Sequence, residues 1–181
     1  MAKFKKLPYA TDWEFSDNIL VESADIIIND FKIDYTHDIP YVAGYNTNGD
    51  TIYVDKDVYA AIKEAKKEKW LKPLTFHEAI EKSLMMAHPD LMYQFCHQNA
   101  LRLELELVKS LKIDKKAYDA FMDKYIKKIG DLKKYPNIPQ DLDLKPYEDE
   151  DDYDTLERMV GKNKFISFKT LPSLVTFGTQ K

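Results

Sequence analysis

A β-hairpin signal followed by a long stretch of helical periodicity constrains the fold of this chain more than any other feature. Two β-prone runs flank Asn48-Gly49, a dipeptide that is typical of tight hairpin turns. They predict strands at about 40–46 and 51–55. Over 57–130, apolar residues recur at the three- and four-residue spacing of an α-helix. The pattern therefore predicts an α+β fold in which a small hairpin or sheet precedes three to four helices.

Capping residues divide the helical part of the sequence. The predicted helices span about 57–65, 75–87, 91–111 and 115–129. Asp90 and Asp114 stand at N-cap positions of the third and fourth helices. Thr75 and Glu78 have the spacing of a capping box at the start of the second helix. Gly130 is a typical terminator for the fourth helix.

The segments on either side of this core have little periodicity. Residues 1–20 predict an irregular arm, the apolar run 24–28 predicts a buried strand, and 155–160 predicts a short helix. The tail is apolar and basic without an acidic residue, and it predicts either a strand that returns to the sheet or an arm that binds a partner. The predicted divisions are 1–37 (N-terminal arm and first strand), 38–160 (core with the candidate site) and 161–181 (tail).

Composition and charge exclude several classes of protein. A hydrophobic fraction of 44% with 13% aromatic residues indicates a globular chain. A net charge of −4 gives no electrostatic case for nucleic-acid binding. The single cysteine, Cys96, excludes an intrachain disulfide and is expected to be a packed free thiol. No apolar stretch approaches the roughly 18 residues of a membrane span, and no signal peptide is recognisable, so a cytoplasmic location is expected.

Four polar residues interrupt the apolar faces of the second and third predicted helices: His77, Glu81, His97 and Glu104. A short connection around Pro89 predicts that these helices are antiparallel neighbours, so that the four side chains face each other. Buried polar groups need partners. Two imidazoles and two carboxylates in a small dry space suit a divalent transition metal. The four residues are therefore predicted metal ligands.

Glu78, the neighbour of His77, is the candidate catalytic residue. It is predicted to act as a general base on a metal-bound water. A simpler alternative is that Glu78 only closes the capping box from Thr75. A second alternative needs no metal, because His77 with Glu104, and His97 with Glu81, can form buried hydrogen-bonded pairs.

Two other histidines are expected to lie outside the site. His88 stands at a helix end, where it is predicted to interact with the helix dipole. His37 is predicted to lie in a loop before the first strand of the hairpin.

Several blocks of the sequence resemble an uncharacterised family of bacterial and phage proteins. The most specific blocks are His-Glu-x-x-Glu-Lys, which begins at His77, and Tyr-x-x-x-His-x-x-Ala-x-Arg-x-Glu, which runs from Tyr93 to Glu104. The resemblance covers about residues 38–160. The family has no settled activity.

The chain is also similar, more distantly, to the zincin-like metallopeptidases, which place a β-hairpin before the helix that carries their His-Glu motif. This resemblance implies a zincin-like core and a zinc ion. It also implies His77 as a ligand, Glu78 as the base, and His97 or Glu104 as further ligands. Those peptidases have a second His where this chain has Glu81.

Two hypotheses about function follow. The first is a divalent-metal-binding protein that acts as a zincin-like hydrolase. The second is a phage or virion-associated structural or interaction protein, in which the His/Glu cluster is structural and the terminal arms contact protein partners. Under the second hypothesis the acidic run 148–154 pairs in trans with lysines of 162–169, a homo-oligomer is possible, and a phage-encoded protein would be located in the virion.

Overall fold

A three-stranded sheet and eight α-helices make up the part of the chain that the structure describes. This computed structural model describes the backbone of residues 12–160 and the side chains of residues 16–159. The helices are α1 (Asp12–Glu22), α2 (Ala24–Asn29), α3 (Lys56–Glu64), α4 (Leu71–Ala87), α5 (Tyr93–Ser110), α6 (Lys115–Gly130), α7 (Lys145–Asp149) and α8 (Tyr153–Val160). The strands are β1 (Lys32–Asp34), β2 (Ala43–Tyr45) and β3 (Thr51–Val54). The predicted α+β class is therefore confirmed.

The predicted hairpin is present, and it forms two of the three strands. The sheet order is β1-β3-β2, with β1 parallel and β2 antiparallel to the central strand β3. The side chain of Asn46 holds the connecting loop, because its Oδ1 accepts hydrogen bonds from the amides of Gly49, Asp50 and Thr51. Gly49 has a positive φ of 75°, a conformation that glycine adopts at little steric cost.

Substitution of Gly49 by alanine is expected to lower the free energy of unfolding by roughly 1–3 kcal/mol, since an L-residue is strained at positive φ. A Cβ at this position would also lie 2.2 Å from Met86 Sδ, so that side chain must move. Urea unfolding measures the loss. Gly130→Ala is the matched control, because a Cβ there meets nothing within 4 Å. Equal stability of the two variants would contradict this role for Gly49.

The prediction of a buried strand at 24–28 is wrong, because these residues lie in α2. A short apolar run does not distinguish a buried strand from one turn of helix. Ala24 is fully buried, Ile27 and Ile28 are half-buried, and Ile26 is 70% exposed. This pattern has the spacing of a helix rather than the alternation of a strand.

The N-terminal region is more ordered than predicted where the structure describes it. Residues 12–20 were predicted to be irregular, but they lie in α1. Leu20 and Val21 of α1 pack with Ala24 and Phe76 in one apolar cluster. The predicted arms over residues 1–11 and 161–181 lie outside the described residues.

Helix α4 begins four residues before the predicted position, so the capping-box prediction at Thr75 is wrong. Thr75 lies inside the helix, and its hydroxyl donates to the carbonyl of Leu71. Pro73 is tolerated because it stands in the first turn, where backbone amides have no partner within the helix. Glu78 therefore does not serve as the partner of an N-cap residue.

The start of α5 also differs from the prediction that Asp90 caps it. The helix begins at Tyr93, and the carboxylate of Asp149 accepts a hydrogen bond from the Tyr93 amide at 2.9 Å. The acidic run 148–154 was predicted to be solvated, but Asp149 is half-buried in this role. By contrast, the predicted cap of α6 is confirmed, because Asp114 accepts from the amide of Ala117.

Helix α4 is buried on nearly all sides between the sheet and α5. Phe76 and Ala79 are fully buried on it. Lys82, at 5% exposure, donates to Asp143 at 2.7 Å and to the carbonyl of Thr47 at 3.1 Å. The buried ion pair holds the segment before α7 beside α4. No helix of the described chain is both long and apolar enough to span a membrane.

Candidate metal centre

The four predicted ligand residues come together where α4 packs against α5. His77 and Glu81 are one turn apart on α4, and His97 and Glu104 are two turns apart on α5. His77 contacts Glu104 while Glu81 contacts His97. The earlier residue on α4 therefore contacts the later residue on α5, and the later residue on α4 contacts the earlier one. The two helices are therefore antiparallel neighbours, as their short connection predicts.

Three ligand atoms converge to form the His77–Glu81–His97 trio. His77 Nε2 lies 3.1 Å from His97 Nδ1, His97 Nδ1 lies 2.9 Å from Glu81 Oε2, and Glu81 Oε2 lies 3.3 Å from His77 Nε2. A zinc ion bonded to imidazole and carboxylate at about 2.0–2.1 Å separates its ligand atoms by roughly 3.0–3.4 Å. An ion about 2.1 Å from all three atoms would lie about 1 Å above their plane. The trio therefore has the dimensions of a metal site.

The trio is buried at His77 and Glu81 and partly exposed at His97. Glu81 is 2% exposed and His77 is 6% exposed, whereas the side chain of His97 is 33% exposed. All three line a cavity of about 480 Å³. The cavity is large enough for a group of several atoms next to the trio.

Glu104 lies next to the trio but contributes none of its three ligand atoms. Its Oε2 is 2.8 Å from His77 Nδ1, and its Oε1 accepts a 2.5 Å hydrogen bond from the Tyr118 hydroxyl. Both carboxylate oxygens of Glu104 thus contact groups other than the three ligand atoms. A carboxylate on the far nitrogen of a histidine is the usual arrangement behind a metal ligand, since it orients the ring and raises its basicity.

The charge state of the trio suits a cation. Burial alone would lower the pKa of His77, but hydrogen bonds to Glu104 and Glu81 outweigh it and raise the pKa well above the ordinary value. Burial would raise the pKa of Glu81, but hydrogen bonds from His77 and His97 outweigh it and lower the pKa. Glu81 is therefore ionised, and a proton on His77 helps to hold the trio together when no ion does. A metal replaces such protons when it binds.

Glu78 is placed differently from the other carboxylates of the site. It is 8% exposed, lines the cavity, and forms no hydrogen bond or ion pair with any residue in the described range. Burial, with repulsion from the Glu81 carboxylate, raises the pKa of Glu78 to about 8. A buried carboxylate that lacks a protein partner is able to exchange a proton with a molecule in the cavity.

Three tyrosines complete the surroundings, and the sequence reasoning did not assign them to the site. Tyr118 holds Glu104, Tyr93 places its hydroxyl 3.1 Å from His97 Nδ1, and Tyr45 lines the cavity from β2. Burial, followed by repulsion from Glu81 and Glu78, raises the pKa of Tyr45 and of Tyr93. Both phenols are therefore neutral hydroxyl groups. The sequence offered one signal, because Tyr93 begins one block of the family resemblance.

Residues that the sequence reasoning placed outside the site do lie outside it. His37 pairs with Asp34 at 3.0 Å and packs edge-on against the Tyr53 ring. His88 is exposed at the C-terminal end of α4. Cys96 is a fully buried free thiol, and burial raises its pKa.

Comparisons with protein-family models, with curated proteins and with solved structures find no match to this chain. The resemblance to the zincin-like peptidases and to the phage family therefore stays a prediction.

Proposed function

We propose that this protein is a metal-dependent hydrolase with a zincin-like core. In this proposal His77, Glu81 and His97 hold one divalent ion, zinc, and Glu78 is the general base. The observation that carries it is the trio of ligand atoms, 2.9 to 3.3 Å apart, beside a buried carboxylate without a partner among the described residues. Two histidines and one glutamate form a ligand set that catalytic zinc sites use, with the fourth position left open.

The proposed reaction is hydrolysis of an amide bond. An ion in the trio supplies Lewis acidity, which makes a nearby water a better nucleophile. Glu78 takes one proton from the water as its oxygen bonds to the carbonyl carbon. The carbon–nitrogen bond then breaks, and Glu78 returns the proton to the departing nitrogen. A base with a pKa near neutrality performs both transfers efficiently.

The edge of the sheet supports an amide substrate. The Asn46 amide donates to the carbonyl of Thr51 in β3, and the Val42 carbonyl accepts from the amide of Asp55, directly after β3. Because backbone groups alternate along a strand, the amide and carbonyl of Ala43 point away from β3. Ala43 and Gly44 line the cavity. Asp143 already donates its amide to the Tyr45 carbonyl on the outer edge of β2, so an extended peptide would pair with this edge only at Ala43.

A structural role is the second candidate, and one observation favours it. The predicted pairs, His77 with Glu104 and His97 with Glu81, are both present at hydrogen-bond distance. Such a network satisfies buried polar groups without an ion. In that case the protein would be a structural or interaction protein, with the phage or virion setting that the resemblance implies.

Metal content and peptide hydrolysis of the purified full chain separate the two candidates. We expect one zinc ion per chain, and cleavage of an unbiased peptide mixture that stops when a chelator removes the ion. A protein that takes up no ion from buffered zinc would exclude the hydrolase. A protein that binds zinc but cleaves no peptide would keep the metal centre and exclude only the peptide substrate.

Glu104→Gln is expected to weaken zinc binding about 10- to 100-fold, because the carboxylate behind a ligand histidine raises the basicity of the ring. Competition with a chromophoric zinc chelator measures the dissociation constant. Glu106→Gln is the matched control, since Glu106 lies on the same helix and pairs with Lys109 at the surface. If both variants bind zinc equally well, the Glu104 carboxylate does not support His77 as a zinc ligand.

A further inference from the structure

The cavity beside the trio is lined by many more acidic than basic side chains. One lysine, Lys115, and seven carboxylate residues line it: Glu78, Glu81, Glu104, Asp119, Asp123, Asp143 and Glu150. Four of the seven have cationic or imidazole partners, as Asp119 has in Lys115 and Asp143 in Lys82. Asp123 and Glu150 form no ion pair within the described chain. The cavity therefore has an excess of negative charge.

The residues that line the cavity include side chains from both α5 and α6, and we refer to this part of it as a branch. On α6, side chains at helical spacing line it from Lys115 to Ile126. On α5, Leu101 and Leu105 line it. We call this branch the α5/α6 groove and define it by Leu101, Leu105, Asp119, Met122, Asp123 and Ile126. Its walls are apolar, and its acidic groups lie on α6, where Asp123 is exposed.

This combination matches the chemistry of a long basic side chain. Lysine and arginine bury an aliphatic stem against apolar surface while they keep a charged tip near water. Met122 and Ile126, with the two leucines of α5, offer the apolar surface. Asp123 has no ion-pair partner in the described chain, so its charge is available to a ligand.

A second observation shows that the cavity offers a hydrogen-bond acceptor to a polar ligand. Glu78 is more than nine-tenths buried, lines the cavity and lacks a hydrogen-bond partner among the described residues. Buried polar groups are almost always satisfied in folded proteins. The Glu78 carboxylate is therefore open to a hydrogen bond from a donor that enters the cavity, independently of the charges in the groove.

We infer that the ligand of this cavity is a basic peptide, in which one Lys or Arg side chain occupies the α5/α6 groove. The inference deepens the proposed function and rests on it for the position of the peptide backbone near the trio. The groove itself is defined by residues outside the trio. Binding and hydrolysis can therefore be tested separately.

Three peptides that differ only at one central position, Lys, norleucine or Glu, test the inference by calorimetric binding to the zinc-loaded full chain. We expect the Lys peptide to bind about ten-fold more tightly than the norleucine peptide, and the Glu peptide to bind most weakly. Asp123→Asn should remove most of the preference for Lys over norleucine. Asp123→Lys should invert the order of the Lys and Glu peptides.

Asp131→Asn is the matched control, because it removes the same charge from the exposed end of α6, outside the cavity lining. Equal binding of the Lys and norleucine peptides, or an unchanged preference in Asp123→Asn, would overturn the inference. So would zinc binding without binding of any of the three peptides, although the metal centre would stand. If the chain takes up no zinc, the proposed function fails. The ratio of the affinities for the Lys and norleucine peptides, measured on the metal-free chain, then still decides the inference.

Discussion

His77→Ala is expected to weaken zinc binding about a thousand-fold, because a complete zinc site of four ligands contributes roughly 10–16 kcal/mol and each ligand a few kcal/mol of it. The wild-type chain should gain about 10 °C in melting temperature at zinc concentrations near a thousand times the dissociation constant. The variant should show no such shift. Equilibrium dialysis with metal analysis, and thermal unfolding with and without zinc, measure the two effects.

Two further variants keep this result interpretable. Removal of His77 leaves Glu104 and Glu81 with an unmade hydrogen bond each, so the variant loses stability as well. His97→Ala removes a ligand whose side chain is 33% exposed, and it should lose zinc with less damage to the fold. His88→Ala removes an exposed histidine outside the centre and should bind zinc as the wild type does. Undiminished zinc binding by both His77→Ala and His97→Ala would place the ion elsewhere.

Glu78→Gln is expected to lower the rate of peptide hydrolysis about 10²- to 10⁴-fold, the usual contribution of a general base. Glutamine has nearly the same shape but cannot accept the proton. Because Glu78 contributes no atom to the trio, zinc affinity should remain within a few-fold of the wild-type value. Initial rates with zinc-saturated protein, together with the zinc dissociation constant, separate the two quantities.

The control for this substitution is Glu64→Gln, an exposed glutamate at the end of α3. It should leave both hydrolysis and zinc binding unchanged. If Glu78→Gln hydrolyses peptides at the wild-type rate, Glu78 is not the base. The capping-box role is not available as an explanation, because Thr75 lies inside α4.

Position 81, where the sequence departs from the zincin motif, lies beside a histidine of the neighbouring helix. Zincin-like peptidases take two histidines from one helix, whereas here α4 contributes His77 and Glu81, and α5 contributes His97. The antiparallel packing of α4 and α5 places His97 Nδ1 2.9 Å from Glu81 Oε2. The neighbouring helix thus places an imidazole next to Glu81, the position at which this chain differs from those peptidases.

Sequence patterns predicted strongly periodic features well and short or irregular ones poorly. The hairpin at 47–50 and the cap of α6 by Asp114 follow from local chemistry, and both are present. The run 24–28 is too short to have a decisive period, so its helix was missed. The N-cap of α5 was missed for another reason, because the carboxylate that bonds the Tyr93 amide comes from Asp149, 56 residues further along the chain.

In the candidate site, helical spacing alone placed His77 with Glu81 on one helix, and His97 with Glu104 on its neighbour. A short connection then sufficed to predict that the two pairs face each other. These relations hold because a helix repeats its side-chain directions every 3.6 residues.

The different surroundings of the Glu104 and Glu78 carboxylates could be seen only in the packed structure. Glu104 turns away from the trio because Tyr118 donates to it from α6, and Glu78 is buried because α4 is covered on nearly all sides. Both facts depend on elements distant in the sequence, whose positions local periodicity does not encode. Helical periodicity therefore determined which polar residues gather at the α4–α5 contact. Long-range packing decided which oxygens and nitrogens converge in the trio and which carboxylate has no partner in the described chain.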